Sequence, residues 1–84
     1  MTICSFTELR TILLDLGFTV RVVPDAAIIF EHPAARAHLY LPPFADAEPV
    51  DPQNLAIVGR NLDERGILPR EQFEALLWQR ALVG

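Results

Sequence analysis

The sequence predicts a two-layer α+β domain, with one three-stranded antiparallel sheet and its helices against a single face. Three observations predict it. Apolar residues recur at helical spacing at both ends of the chain and alternate in the middle. The alternating runs between residues 18 and 41 are joined by two short turns, and a parallel crossover needs a dozen residues or more. Each helical segment carries one apolar stripe, which must be buried against another layer.

The first helix is expected over residues 6–16. Ser5-Phe6-Thr7-Glu8 has the spacing of a capping box, in which Ser5 accepts from the Glu8 amide and Glu8 reaches back. Phe6, Leu9, Leu13 and Leu16 form its stripe, and Gly17 stands where helices end in a left-handed residue. From Phe18 the period changes to two. Phe18, Val20 and Val22 alternate with Thr19, Arg21 and Val23, a strand ended by the turn signal Pro24-Asp25. Ala26 to Glu31 is apolar on both parities, which predicts a central strand covered on both faces. His32 to Ala35 make the next turn. Arg36 to Leu41 form a third strand with Ala37, Leu39 and Leu41 on one face and Arg36, His38 and Tyr40 on the other.

Pro42-Pro43 ends that strand, and the Pro-, Ala- and acid-rich stretch to Asp51 reads as a loop. Asp51-Pro52 then starts a helix, with Asp51 as N-cap, Pro52 in the first position, a stripe of Leu55, Val58 and Leu62, and Gly66 closing it. A last helix runs from Pro69 to about Leu82. Phe73, Leu76, Leu77 and Ala81 lie on one side of it, and Trp78 off the stripe. Leu13, Leu16, Val20, Leu39, Val58 and Leu62 are expected in the core. The order helix, three strands, helix, with an added C-terminal helix, is that of a double-stranded-RNA-binding-like architecture.

Composition narrows the function. The chain has 84 residues, 51% of them hydrophobic and 21% charged, which is the size and balance of one globular domain. No apolar run approaches the roughly 20 residues of a membrane span, and no basic region precedes an apolar stretch at the start. Cytoplasmic residence and no membrane partner are therefore expected. The one cysteine, Cys4, cannot form an intrachain disulfide and is read as a small buried apolar residue. Net charge is −4, and the seven basic residues are arginines scattered at positions 10, 21, 36, 60, 65, 70 and 80. Nucleic-acid affinity rests on neutralised phosphates. This distribution argues against a DNA partner and leaves only weak RNA contact.

The residues themselves resemble the HicA-type (YcfA-like) toxin family over nearly the whole chain. Thr7-Glu8-Leu9-Arg10 followed by Leu16-Gly17-Phe18 is similar to that family's first helix and its exit. Phe30-Glu31-His32-Pro33 is similar to its "aromatic, any, His, Pro" turn, and Leu39-Tyr40-Leu41-Pro42 to its third strand. Asp51 to Leu55, running on to Leu62-Asp63-Glu64-Arg65-Gly66-Ile67, resembles its second helix. Pro69 to Phe73 with Leu76-Leu77 resembles its extra C-terminal helix. The resemblance implies a domain spanning residues 1–84, an mRNA-cleaving ribonuclease activity and a HicB antitoxin partner.

The chain departs from that family at the chemistry. The family's "Gly, Ser, His" motif falls on Asp25, Ala26 and Ala27, so its catalytic histidine corresponds to Ala27. Its lysine-bearing loop corresponds to Ala45-Asp46-Ala47-Glu48. Neither a general base nor phosphate attraction is supplied at those positions. The expectation is therefore a non-catalytic interaction domain, with no catalytic residue, metal or cofactor. Its binding face is drawn from Arg21, Arg36, His38, Tyr40 and Trp78, and its partner is a HicB-like protein or a second copy of the chain. The competing expectation is a ribonuclease whose base has moved to His38. It requires Arg21, Arg36 and His38 to converge away from carboxylates. A solvated strand face is the plainer account of that triplet, since alternation alone produces one. His32 is read as a turn residue bonded to local backbone, and Arg60, Asp63, Glu64 and Arg65 as a solvated helix face.

Overall fold

The structure, a computed structural model, describes residues 4–83, with side chains described through Gln79. The elements in order are β1 (Cys4–Ser5), α1 (Phe6–Asp15), β2 (Thr19–Val23), β3 (Ala27–His32), a 3-10 turn (Pro33–Ala35), β4 (Ala37–Leu41), β5 (Pro49–Val50), α2 (Pro52–Glu64) and α3 (Arg70–Val83). The main sheet has the order β2-β3-β4 and is antiparallel throughout. This is a small α+β fold with three helices and a three-stranded meander.

Local chemistry explains the helix ends. Ser5 Oγ accepts from the Glu8 amide at 3.3 Å while Glu8 accepts from the Ser5 amide at 3.4 Å, the expected capping box. Two more free amides of the first turn, on Phe6 and Thr7, donate to the carbonyls of Glu48 and Asp46 at 2.9 and 3.0 Å. At the other end Phe18 N donates to Leu13 O and Gly17 N to Leu14 O, a Schellman closure with Gly17 at φ +101°. Asp51 caps α2 by accepting from the Asn54 amide at 3.3 Å. The Asn54 side-chain amide also donates to Asp51, and this bond is the main reason the carboxyl is held below its ordinary range. Gly66, at φ +69°, closes α2 as expected, with Ile67 N donating to Leu62 O.

The helices pack on one face of the sheet. Register puts Val20, Val22, Ile28, Phe30, Ala37, Leu39 and Leu41 on that inner face. Ile28, Phe30, Ala37, Leu39 and Leu41 share one core cluster with Leu9, Leu13, Val58, Leu62 and Phe73 from the helices. The Phe6 ring meets Phe30 at 6.2 Å and Phe44 at 6.0 Å, tying α1 to both the sheet and the 42–48 loop. Cys4 is fully buried in the same core.

Three expectations need correction. Val20 is 36% exposed and not core, because β2 is an edge strand whose five residues are all exposed; Phe18, just before it, is buried instead. Leu16 is only partly buried, at the C-cap of α1. The 42–51 stretch is not all loop, since Pro49–Val50 pairs antiparallel with Cys4–Ser5. Two residues beginning with proline carry no readable strand pattern. Ala81 and Leu82, expected in the last helix, lie outside the described side chains.

Candidate functional site

The outer sheet face carries three of the five expected binding residues. Its side chains come from Thr19, Arg21 and Val23 on β2, Ala27, Ile29 and Glu31 on β3, and His38 and Tyr40 on β4. Register lays these in rows: Arg21, Ile29 and Tyr40 across the middle, and Thr19, Glu31 and His38 beside them. Tyr40 is 68% exposed. Ile29 is buried although it lies outside the main core, as expected for a central-strand residue flanked by two long side chains.

Glu31 organises this face. Its Oε1 lies 3.9 Å from Arg21 Nη2 and its Oε2 3.4 Å from His38 Nε2. One carboxylate therefore stands between the two groups that could attract phosphate. The geometry lets the carboxylate orient the imidazole and sets a negative charge against the Arg21 guanidinium. Sequence reasoning missed Glu31. It shares parity with Ala27 and Ile29, but its place opposite His38 depends on the length of the turn between β3 and β4, which composition does not fix.

The remaining expected residues fall elsewhere. Arg36 is not on the third strand. It is the exposed C-cap of the 3-10 turn, at φ 55° and ψ 37°, and among the described residues it makes no ion pair. The tight turn takes the residue that simple alternation assigned to the strand. Trp78 belongs to α3 and lines a groove against α2 together with Leu55, Gly59, Phe73 and Leu77; it is 52% exposed. Ala27 opens β3 on the outer face. It lies four residue steps along the strand from the Glu31 row that holds His38, about 13 Å at the usual rise per residue.

His32 is fully occupied by backbone. Its Nε2 is 2.9 Å from Leu16 O, and its Nδ1 accepts from Ala35 N at 3.2 Å, so the Nε2–H tautomer satisfies both bonds. The ring also sits edge-on to Phe18 at 5.1 Å. It is a structural turn residue, as expected. Among the described residues no group of His, Cys, Asp and Glu is arranged to hold a metal ion, and no helix is long and apolar enough to cross a membrane. The acidic loop is pinned to α1: Thr7 Oγ1 donates to Asp46 O at 2.7 Å and Arg10 pairs with the Asp46 carboxylate at 3.4 Å. Compared with family models, with curated proteins and with solved structures, the chain finds no match.

Proposed function

We propose that this chain is a non-catalytic interaction domain of HicA-like, double-stranded-RNA-binding-like fold that works in the cytoplasm by binding another protein. The sequence resemblance supports the fold reading, and the meander with helices on one face is compatible with it. The observation that carries the functional reading is Glu31 standing between Arg21 and His38 on the outer face. A ribonuclease needs a base and also net positive charge at the phosphate. Ala27 supplies no base, Glu31 offsets the nearby cation, and Asp46 and Glu48 occupy the loop where the resembled family has lysines. The partner is a protein resembling a HicB antitoxin, or a second copy of the chain.

The alternative, an mRNA-cleaving toxin with His38 as base, needed His38 to lie free of carboxylates among arginines. Glu31 counts against it. An RNA cleavage assay with purified protein, run beside His38→Ala, separates the two. The interaction reading expects no cleavage above background in either. Cleavage by the wild type that disappears in His38→Ala overturns it in favour of the enzyme.

A further inference from the structure

The α2–α3 groove differs from the rest of the surface in shape and in charge. It encloses a volume of about 250 Å³. Its floor is apolar, and Gly59 lies directly against the Phe73 ring, where a Cβ would come within 3.1 Å. The helices can therefore approach closely while the half-exposed Trp78 stands at the groove. A second concavity shares Ala56 and Arg70 as walls and adds Ile57, itself 52% exposed, and Arg60. Arg70 pairs with Glu74 at 3.9 Å, as Arg21 does with Glu31, but among the described residues Arg60 makes no ion pair although Asp63 and Glu64 follow it on the same helix. In a chain of net charge −4, this strip holds two arginines against one carboxylate. Apolar floor, exposed tryptophan and under-compensated arginine are the composition of interface centres.

We propose that the α2–α3 groove is the docking site for a short amphipathic acidic segment of a partner protein. Its apolar side chains would lie on Phe73, Leu77 and Trp78, and its carboxylates would meet Arg70 and Arg60. An arginine fork binds a carboxylate in bidentate fashion, which gives the site both register and preference for acids. This proposal rests on the interaction reading above and specifies where the partner binds. It moves the binding surface from the sheet to the helices.

The test pans a random-peptide library on the full immobilised chain at low salt. Enriched peptides are then synthesised, dye-labelled and titrated into the wild type and variants. The expected peptides combine aromatic or branched apolar residues with Asp or Glu. Their binding shifts the emission of Trp78, the only tryptophan in the chain. Affinity falls about tenfold or more in Arg60→Glu/Arg70→Glu and in Trp78→Ala, and is unchanged in Tyr40→Ala. Arg60 and Arg70 are exposed, and circular dichroism of each variant verifies that the fold is kept. The proposal is overturned if no peptide is enriched, if enriched peptides lack acids, or if the double variant binds them undiminished. It is likewise overturned if sedimentation shows a dimer that Trp78→Ala dissociates, since a second copy would then be the occupant. Loss of binding in Tyr40→Ala alone would sink the groove but keep the interaction reading, whereas RNA cleavage would sink the reading itself.

Discussion

The outer sheet face and the α2–α3 groove are both open to solvent, yet their charges are arranged in opposite ways. On the sheet, Glu31 reaches both Arg21 and His38, and the turn histidine His32 spends both ring nitrogens on backbone. In the groove, Arg70 pairs with Glu74 much as Arg21 pairs with Glu31, but Arg60 has no ion pair among the described residues, and a tryptophan stands exposed nearby. Polar groups that are already satisfied gain little from a partner, while an under-compensated arginine beside apolar surface gains a hydrogen-bonded charge and loses exposed area. The comparison teaches that the residues most suggestive of chemistry in the sequence, His38 and its neighbours, occupy the region with less left to bind.

The largest contrast is in stability. Phe73 forms the floor of the groove and is 1% exposed, whereas Tyr40 on the sheet face is 68% exposed. Phe73→Ala should cost about 3–5 kcal/mol, since it removes a buried ring and leaves a cavity between two helices. Tyr40→Ala should change stability by no more than about 0.5 kcal/mol. Urea unfolding of both variants measures the difference. A small loss at Phe73 would mean that the groove collapses around the missing ring, and a rigid docking floor would be the wrong description.

The next effect concerns how the sheet layer is closed. Gly17 is at φ +101°, and a Cβ there would lie 3.0 Å from His32 Nε2. Gly17→Ala therefore meets backbone strain and a clash with a ring already held by Leu16 O and Ala35 N. A loss of about 1–3 kcal/mol is expected from the strain. In the background of His32→Ala the clash disappears and the strain remains, so a double-mutant cycle reads the contact separately. Purely additive losses would show that His32 moves aside at no cost.

A charge test sharpens the comparison directly. Glu31→Gln removes the carboxylate between Arg21 and His38 and makes the sheet face resemble the groove. Affinity for a labelled single-stranded RNA should rise about two- to fivefold at low ionic strength and return toward the wild-type value at about 0.15 M salt. Fluorescence anisotropy at both salts measures it. Unchanged affinity at low salt would show that Glu31 is not what keeps the face from binding anions.

Much of the fold was legible because short-range chemistry decides it. The capping box at Ser5, the Schellman glycines Gly17 and Gly66, the Asp51-Pro52 helix start and the three strands each follow from a few adjacent residues. The site was less legible because it depends on placement across the chain. Glu31 and His38 are brought together by a register that the five-residue turn His32–Arg36 sets. Val20 follows the alternation of a core strand but lies on an edge that the helices do not fully cover, so pattern alone overstates its burial. Trp78 falls off the apolar stripe in the sequence, yet nothing local to it reveals that Gly59 and Phe73 from two helices build a groove beside it.

The smallest effect is the one that best separates structure from function. Arg36 adopts a left-handed conformation, φ 55° and ψ 37°, that costs a residue with a Cβ about 1–2 kcal/mol. Arg36→Gly removes that cost but adds backbone freedom to the unfolded chain, worth roughly 0.5–1 kcal/mol in the opposite direction. The net expectation is a gain of up to about 1 kcal/mol, measured by thermal and urea unfolding. Arg36→Asn retains a side chain while favouring the same conformation, and should fall between the two. If Arg36 is only a turn residue, Arg36→Gly is more stable and binds the peptides selected on the wild type with unchanged affinity. Equal stability in all three proteins would show that the turn relaxes around arginine without strain. A stabilised Arg36→Gly that loses affinity would instead show that the strained arginine is kept for contact with the partner, and the sheet end of the molecule, not the groove alone, would have to be counted as binding surface.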